Sequence, residues 1–331
     1  MTLKAPFPYF GGKATVADIV WQALGDVGHY VEPFFGSGAV MLRRPHAARL
    51  ETVNDADALL SNFWRAVRAD PDGVAAAADW PVNEADLHAR HIWLVGQRPS
   101  LTERLMGDPE FHDVKTAGWW VWGACAWIGG GWCSGTGPWA AVDGVLTDTR
   151  KLPHLGNAGR GVSRRLPHLG PGRGVNRQLP PSHDVRGAWL AEWFGELSAR
   201  LRDVRVACGD WSRVCGPSVL RAGGGLTGVF LDPPYDLSMR ARTYAHESDA
   251  ASECLAWCIA NGDQPGLRIV LAGYAGEHDT LEARGWRVVE WKAQGGYANL
   301  GDGRGRDNAA LERLWLSPHC LGAPVAPDLF G

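Results

Sequence analysis

His29-Tyr30-Val31-Glu32-Pro33-Phe34-Phe35-Gly36-Ser37-Gly38-Ala39 is the stretch that decides the fold. A short apolar strand, His29-Tyr30-Val31, runs into a turn punctuated by two glycines, and Ala39-Val40-Met41-Leu42-Arg43 reads as the apolar start of a helix. That is the first half of a βα unit. The G-x-G pattern lets backbone approach a ligand closely because glycine carries no Cβ, but by itself it serves any such approach. The next unit sharpens it. Leu50-Glu51-Thr52-Val53 ends at Asn54-Asp55, and Leu59, Leu60, Phe63, Trp64 and Val67 follow at helical spacing. Asp55 stands at the end of that second strand, where a carboxylate can accept hydrogen bonds from both hydroxyls of a ribose. A nucleoside-containing cofactor is implied. The turn is not G-x-G-x-x-G, and no G-x-x-x-x-G-K-[ST] is present, so neither a dinucleotide pyrophosphate nor an ATP triphosphate cradle fits better.

Further along, Val204-Arg205-Val206-Ala207-Cys208 ends at Gly209-Asp210, Gly228-Val229-Phe230-Leu231 ends at Asp232-Pro233-Pro234-Tyr235, and Leu267 to Ala272 is a third apolar run. Runs without alternation suit strands buried on both faces of a parallel α/β sheet. Trp286 to Trp291 and Leu311 to Leu316 do alternate and predict closing strands, an antiparallel hairpin at the sheet edge. Asp210 could accept from an adenine amino group or simply end its strand in a turn.

The chain has 331 residues, 45% hydrophobic and 21% charged, with 43 glycines and 21 prolines. This excludes a mainly disordered chain and an all-α bundle, and the length predicts one large domain with an insert, or two domains. No run reaches the length of a bilayer span and the first residues lack a signal-peptide core, so a soluble, cytoplasmic protein is expected. Seven cysteines form no C-x-x-C pair and read as reduced thiols, and no ligand cluster points to a metal. Between the two sheet-forming blocks, residues 77–199 read as an insert of tryptophan-rich helices followed by a Gly/Pro-rich arm. Core packing is the expected role of Trp119 to Trp127. For Trp132 and Trp139, in glycine-rich turns, base contact stands beside it.

The arm, 150–186, carries eight Lys/Arg against one Asp, a net of +7, which leaves −10 for the rest of a chain whose total is −3. It repeats itself: Leu152-Pro153-His154-Leu155-Gly156 returns as Leu166-Pro167-His168-Leu169-Gly170. An extended, irregular segment is expected, because Pro and Gly at this density end helices and strands. A basic tract on an acidic body suits contact with phosphate, through Arg160, Arg164, Arg165, Arg173 and Arg177; a merely solvated loop is the plainer alternative.

Asp232-Pro233-Pro234-Tyr235 is the most specific local signal. Two prolines stiffen the turn and remove backbone donors, leaving a carboxylate, carbonyl acceptors and an aromatic ring at a strand's end. An aryl amine is a poor nucleophile because its lone pair is delocalised into the ring. Accepting hydrogen bonds from both of its N–H groups localises that pair, and Tyr235 would stack on the base. Adenine N6 and cytosine N4 both present such an amine.

Here the chain resembles the Dam-like, or D12-class, N6-adenine-specific DNA methyltransferases. The resemblance is carried by Pro8-Tyr9-Phe10-Gly11-Gly12-Lys13, by Tyr30 to Ala39, by Val53-Asn54-Asp55 and by Leu231-Asp232-Pro233-Pro234-Tyr235, in that order. It implies a Rossmann-like class I methyltransferase sheet, S-adenosylmethionine as cofactor, double-stranded DNA as partner, and neither metal nor membrane. By the same resemblance, Tyr9 and Lys13 would contact the amino-acid end of the cofactor. Glu32, Phe34, Gly36 and Gly38 would wrap its methionine portion, Asp55 would hold the ribose and Asp210 would lie near the adenine. Asp232, Pro233, Pro234 and Tyr235 would bind the target base. The division expected is a discontinuous catalytic domain, 1–76 and 200–320, an inserted target-recognition domain, 77–199, and a tail, 321–331. Alternatives kept open are N4-cytosine methylation and a catalytically silent nucleic-acid-binding protein on the same scaffold. A protein-amide methyltransferase fits less well, since that group usually has Asn where Asp232 stands. The insert departs from the family pattern at Ile128 to Trp139, so no target sequence can be transferred.

Overall fold

The apolar runs become strands of one seven-stranded sheet. The computed structural model describes residues 3–8, 13, 15–127, 131–133, 139–142, 145–148, 183–234, 250–291 and 312–322. Its strands are β1 (His29–Glu32), β2 (Leu50–Asp55), β3 (Trp139–Val142), β4 (Val145–Asp148), β5 (Val204–Cys208), β6 (Thr227–Leu231), β7 (Leu267–Tyr274), β8 (Arg287–Glu290) and β9 (Glu312–Leu316). The helices are α1 (Ala17–Leu24), α2 (Ala58–Ala69), α3 (Pro71–Ala78), α4 (Glu84–Gly107), α5 (Val114–Ala126), α6 (His183–Leu201), α7 (Pro217–Leu220) and α8 (Ala250–Asn261).

The sheet order is β5-β2-β1-β6-β7-β9-β8. The first five strands pair in parallel, while β9 lies antiparallel between β7 and β8. This mostly parallel mixed sheet is compatible with a methyltransferase fold, and the closing hairpin is where the alternating sequence placed it. All five residues of β6 are buried, whereas three of the four in β8, at the edge, are exposed.

Period-two alternation sorts the core onto two faces. Tyr30, Phe230, Val270 and Ala272 join the cluster that also holds residues of α1 to α6. Val31, Val229, Leu231, Ile269 and Leu271 join the other, with residues of α7 and α8. α2 forms because its apolar residues share one stripe and because Asp57 caps it, its carboxylate accepting from Leu59 N at 2.9 Å. Trp120 and Trp122 of α5 are buried, and Trp120 packs on Phe7 and Phe63 at 4.8 and 5.7 Å between ring centroids. The middle helices therefore share one core with the sheet. Truncating a buried tryptophan such as Trp122 would cost about 3–5 kcal/mol.

The sequence reading fails in three places here. Ala39 to Arg43 does not open a helix: it makes one 3-10 turn, Met41–Arg43, and the chain returns to β2. Pro45 is the reason, since the residue before proline is pushed out of the helical region and Arg44 has ψ 120°. α6 begins at His183, ahead of the arm's expected end at Arg186, once Pro180-Pro181 has been passed. Finally, β3 and β4 form an antiparallel pair that the sequence reading does not anticipate, although Asp143-Gly144 between them is a strong hairpin signal.

Candidate active site

Strand order reverses between β1 and β6, one leading to β2 and the other to β7, and open α/β sheets bind ligands at such a switch point, beyond the strands' carboxyl ends. The predicted acids gather at that edge. Glu32 ends β1, Asp55 ends β2, Asp210 follows β5 and Asp232 follows β6.

The turn after β1 is held by its own backbone. Phe35 N donates to Asn54 O at 2.9 Å, Gly38 N to Phe35 O at 2.9 Å, and the Trp64 indole to Gly36 O at 3.0 Å. Gly36 and Gly38 have φ of 49° and 67°, a region costly for other residues, and a Cβ on Gly38 would sit 2.8 Å from the Phe35 ring. Asp55 Oδ2 accepts from Gly36 N at 3.0 Å and Oδ1 from Asp57 N at 2.9 Å. Burial outweighs these two donors and lifts the Asp55 carboxyl to about 7. Beside it, the Asn54 amide donates to both Pro33 O and Gly209 O, at 3.0 and 2.9 Å, and so ties three strand ends together.

Phe34, half-buried, stacks on Trp211 at 6.1 Å. Asp210 is exposed and caps the turn that follows, accepting from Ser212 N at 2.9 Å and from the Ser212 hydroxyl. Of its two sequence readings, the turn is the one with a visible contact.

Buried β6 delivers Asp232 to the same edge. Lys13 Nζ lies 3.1 Å from Asp232 Oδ1 and 3.4 Å from Glu312 Oε2, and 5.2 Å from the Trp291 ring centre. Burial pulls the Lys13 ammonium down, but the two carboxylates more than offset it and the net shift is upward. Glu32 is buried and accepts from the Tyr30 hydroxyl at 2.9 Å. Desolvation first, then the charges of Asp232 and Glu51, push its carboxyl well above the usual range. The glycine turn and the Asp-Pro-Pro corner are thus neighbours across β1 and β6, with Lys13 fixed on the corner.

Residues 9–87 match the D12 class N6 adenine-specific DNA methyltransferase family. The match covers 79 of the 331 residues, and over that segment the chain is similar to the family. No curated protein matches it. The D12-class match spans the Gly-Gly-Lys segment, the glycine turn and the β2 acid, and ends within α4. Asp210, Asp232, the arm and β9 lie beyond it. D12-class enzymes are adenine-specific DNA methyltransferases that generally use S-adenosylmethionine.

Not every expected residue can be placed. Tyr9, Tyr235, Arg160, Arg164, Arg165, Arg173 and Arg177 lie outside the described residues. Trp132 is half-buried, its indole donating to Trp120 O at 3.0 Å and its ring filling the space a Cβ on Gly123 would need. Among the described residues no group of His, Cys, Asp and Glu could hold a metal, no helix is long and apolar enough to cross a membrane, and all seven cysteines are buried thiols.

Asn54 and Glu312 are the edge residues that the sequence reading missed. Asn54 stands inside the Val53-Asn54-Asp55 motif, which gave it no role. Glu312 is 299 positions from Lys13, and no local pattern could have joined them.

Proposed function

We propose that this chain transfers a methyl group from S-adenosylmethionine to N6 of an adenine extruded from double-stranded DNA. One observation carries the reading. The carboxylate of Asp232 stands at the end of β6, beside the glycine turn that ends β1, and Lys13 of the family's Gly-Gly-Lys motif is ion-paired to it at 3.1 Å.

The donor set suits the cofactor. Two Cβ-free positions, Gly36 and Gly38, allow close approach, Asp55 offers acceptors to ribose hydroxyls, and Lys13 and Tyr9 are assigned to a carboxylate. Glu32 and Phe34 complete that side, and Asp210 is assigned to the adenine end. Bound there, S-adenosylmethionine would supply a methyl already activated by its sulfonium. The chain's own task is then positioning. Asp232 and a carbonyl of the Pro233-Pro234 corner accept the two N–H bonds of the amine and so localise its lone pair, while Tyr235 stacks on the base. Extrusion costs a few kcal/mol, which stacking and phosphate contacts offset.

In this reading 1–76 and 200–320 form the catalytic part, 77–199 the recognition insert and 321–331 a tail. The helices of the insert anchor it on the shared core, and the arm's arginines hold phosphate. Asp232→Ala tests the assignment: methyl incorporation into DNA should fall at least ~10³-fold while calorimetry still finds the cofactor bound. Retained turnover would overturn it.

A further inference from the structure

The cluster around Lys13 reaches one residue beyond those given a role above. Glu312 opens β9, pairs with Tyr274 at the end of β7, and is 5% exposed. Asp232 and Glu312 hold the Lys13 ammonium from two strands, β6 and β9, with the Trp291 ring on its flank. A buried ammonium is costly unless paired, so this arrangement needs a reason.

The donor geometry supplies one. Lysine has three N–H donors and no acceptor. In a simple Lys13–Asp232 pair all the ammonium's attraction would fall on the carboxylate that has to accept from an amine. Glu312 takes part of it to the β9 side. It also leaves the cluster with two negative charges against one positive, beside the place where a cationic cofactor would sit.

Among the described residues, other charged groups packed here have contacts of their own. Glu32 on β1 feels the charge of Asp232 and accepts from the Tyr30 hydroxyl, and Arg313 donates to the Glu312 carbonyl at 2.9 Å and pairs with Glu290 at 3.0 Å. Glu277 accepts from Tyr274 N at 2.7 Å.

We propose that Glu312 is a positioning residue for methyl transfer, holding the Lys13 ammonium between β6 and β9 so that Asp232 keeps acceptor capacity for the target amine. This deepens the function proposed above and rests on it. Removing the Glu312 charge while Lys13 stays buried should let the Lys13 proton leave at lower pH.

The test follows acylation of Lys13 against pH by mass spectrometry, without DNA or cofactor, in wild type, Glu312→Gln and Glu312→Asp, with exposed Lys4 as internal reference. The wild-type midpoint should lie above that of Lys4. E312Q should lower it by about one unit or more, and E312D should recover part of the shift. In parallel, E312Q should cut kcat by about ten- to a hundredfold and move the alkaline limb of its pH profile in the same direction, with KM for DNA unchanged. The surface variant Glu290→Gln should match wild type. A wild-type midpoint at or below that of Lys4 overturns the proposal without any variant being needed. An unmoved midpoint and alkaline limb in active E312Q overturn this role alone, whereas absence of adenine methylation by wild type overturns the proposed function and this role with it.

Discussion

Two buried ion clusters sit in this sheet with opposite stoichiometry. At the carboxyl edge one lysine stands between two acids, Asp232 and Glu312. Below it, on β2, one acid stands between two arginines: Glu51 accepts from Arg44 at 3.2 Å and from Arg200 at 2.9 Å. Those arginines also donate to backbone carbonyls, Arg44 to Val27 O at 2.7 Å and Arg200 to Met41 O at 3.2 Å. Their planar forks are spent on fixed scaffold, and Arg200 thereby staples α6 to β2. Lysine is a compact point charge on a flexible stem, and here it borders the edge where a ligand would enter. The difference teaches that a buried charge is not functional by being buried; what its neighbours are, and whether they lie at the open edge, decides.

The comparison breaks if the two clusters respond alike to mutation. After the loss of turnover expected for D232A, the largest effect should come from Glu51→Gln, which removes the buried carboxylate that two arginines share and leaves Arg44 only the half-exposed Asp26 at 3.8 Å. It should lower unfolding free energy by about 3–5 kcal/mol in denaturant titrations, with catalytic constants of the folded fraction unchanged. Stability close to wild type would make the lower cluster dispensable.

Next comes Asp55. Its carboxyl is raised from the ordinary value of 3.8 to about 7 in the folded chain, so between those values the folded state holds a proton that the unfolded state has lost. Stability should therefore fall as pH rises from about 4 to 7 and level off above. Asp55→Asn should flatten that slope. Cofactor affinity in wild type should rise through about pH 7, as the carboxylate becomes a stronger acceptor for ribose hydroxyls. A slope identical in D55N would assign the pH dependence elsewhere.

The smallest effect per residue is expected in the arm. Neutralising Arg160, Arg164, Arg165, Arg173 and Arg177 together should weaken DNA binding and reduce the salt slope by up to about 0.9 for each phosphate that is no longer neutralised, leaving cofactor binding intact. An unchanged slope would make the arm a passenger.

How much was legible follows from how local each signal is. The central strands were readable because Gly228 to Leu231 and Ile269 to Ala272 are unbroken apolar runs, and the closing hairpin because its strands alternate. The helix expected after Gly38 was lost to a single downstream proline, Pro45. Asp55 and Asp232 were readable because strand-end acids sit beside short motifs. Glu312 was not, because its meaning depends on β9 inserting between β7 and β8, a long-range pairing that leaves no mark on the sequence around it. The Asn54 clamp was hidden for the same reason: its partners, Pro33 O and Gly209 O, come from two other strands.

The most direct test is the identity of the modified base. Unmethylated DNA incubated with the full chain and S-adenosylmethionine, then digested to nucleosides and separated by mass spectrometry, should contain N6-methyladenine, and the D232A protein should yield none. N4-methylcytosine in its place, or no methylated nucleoside from the wild-type chain, would contradict the account.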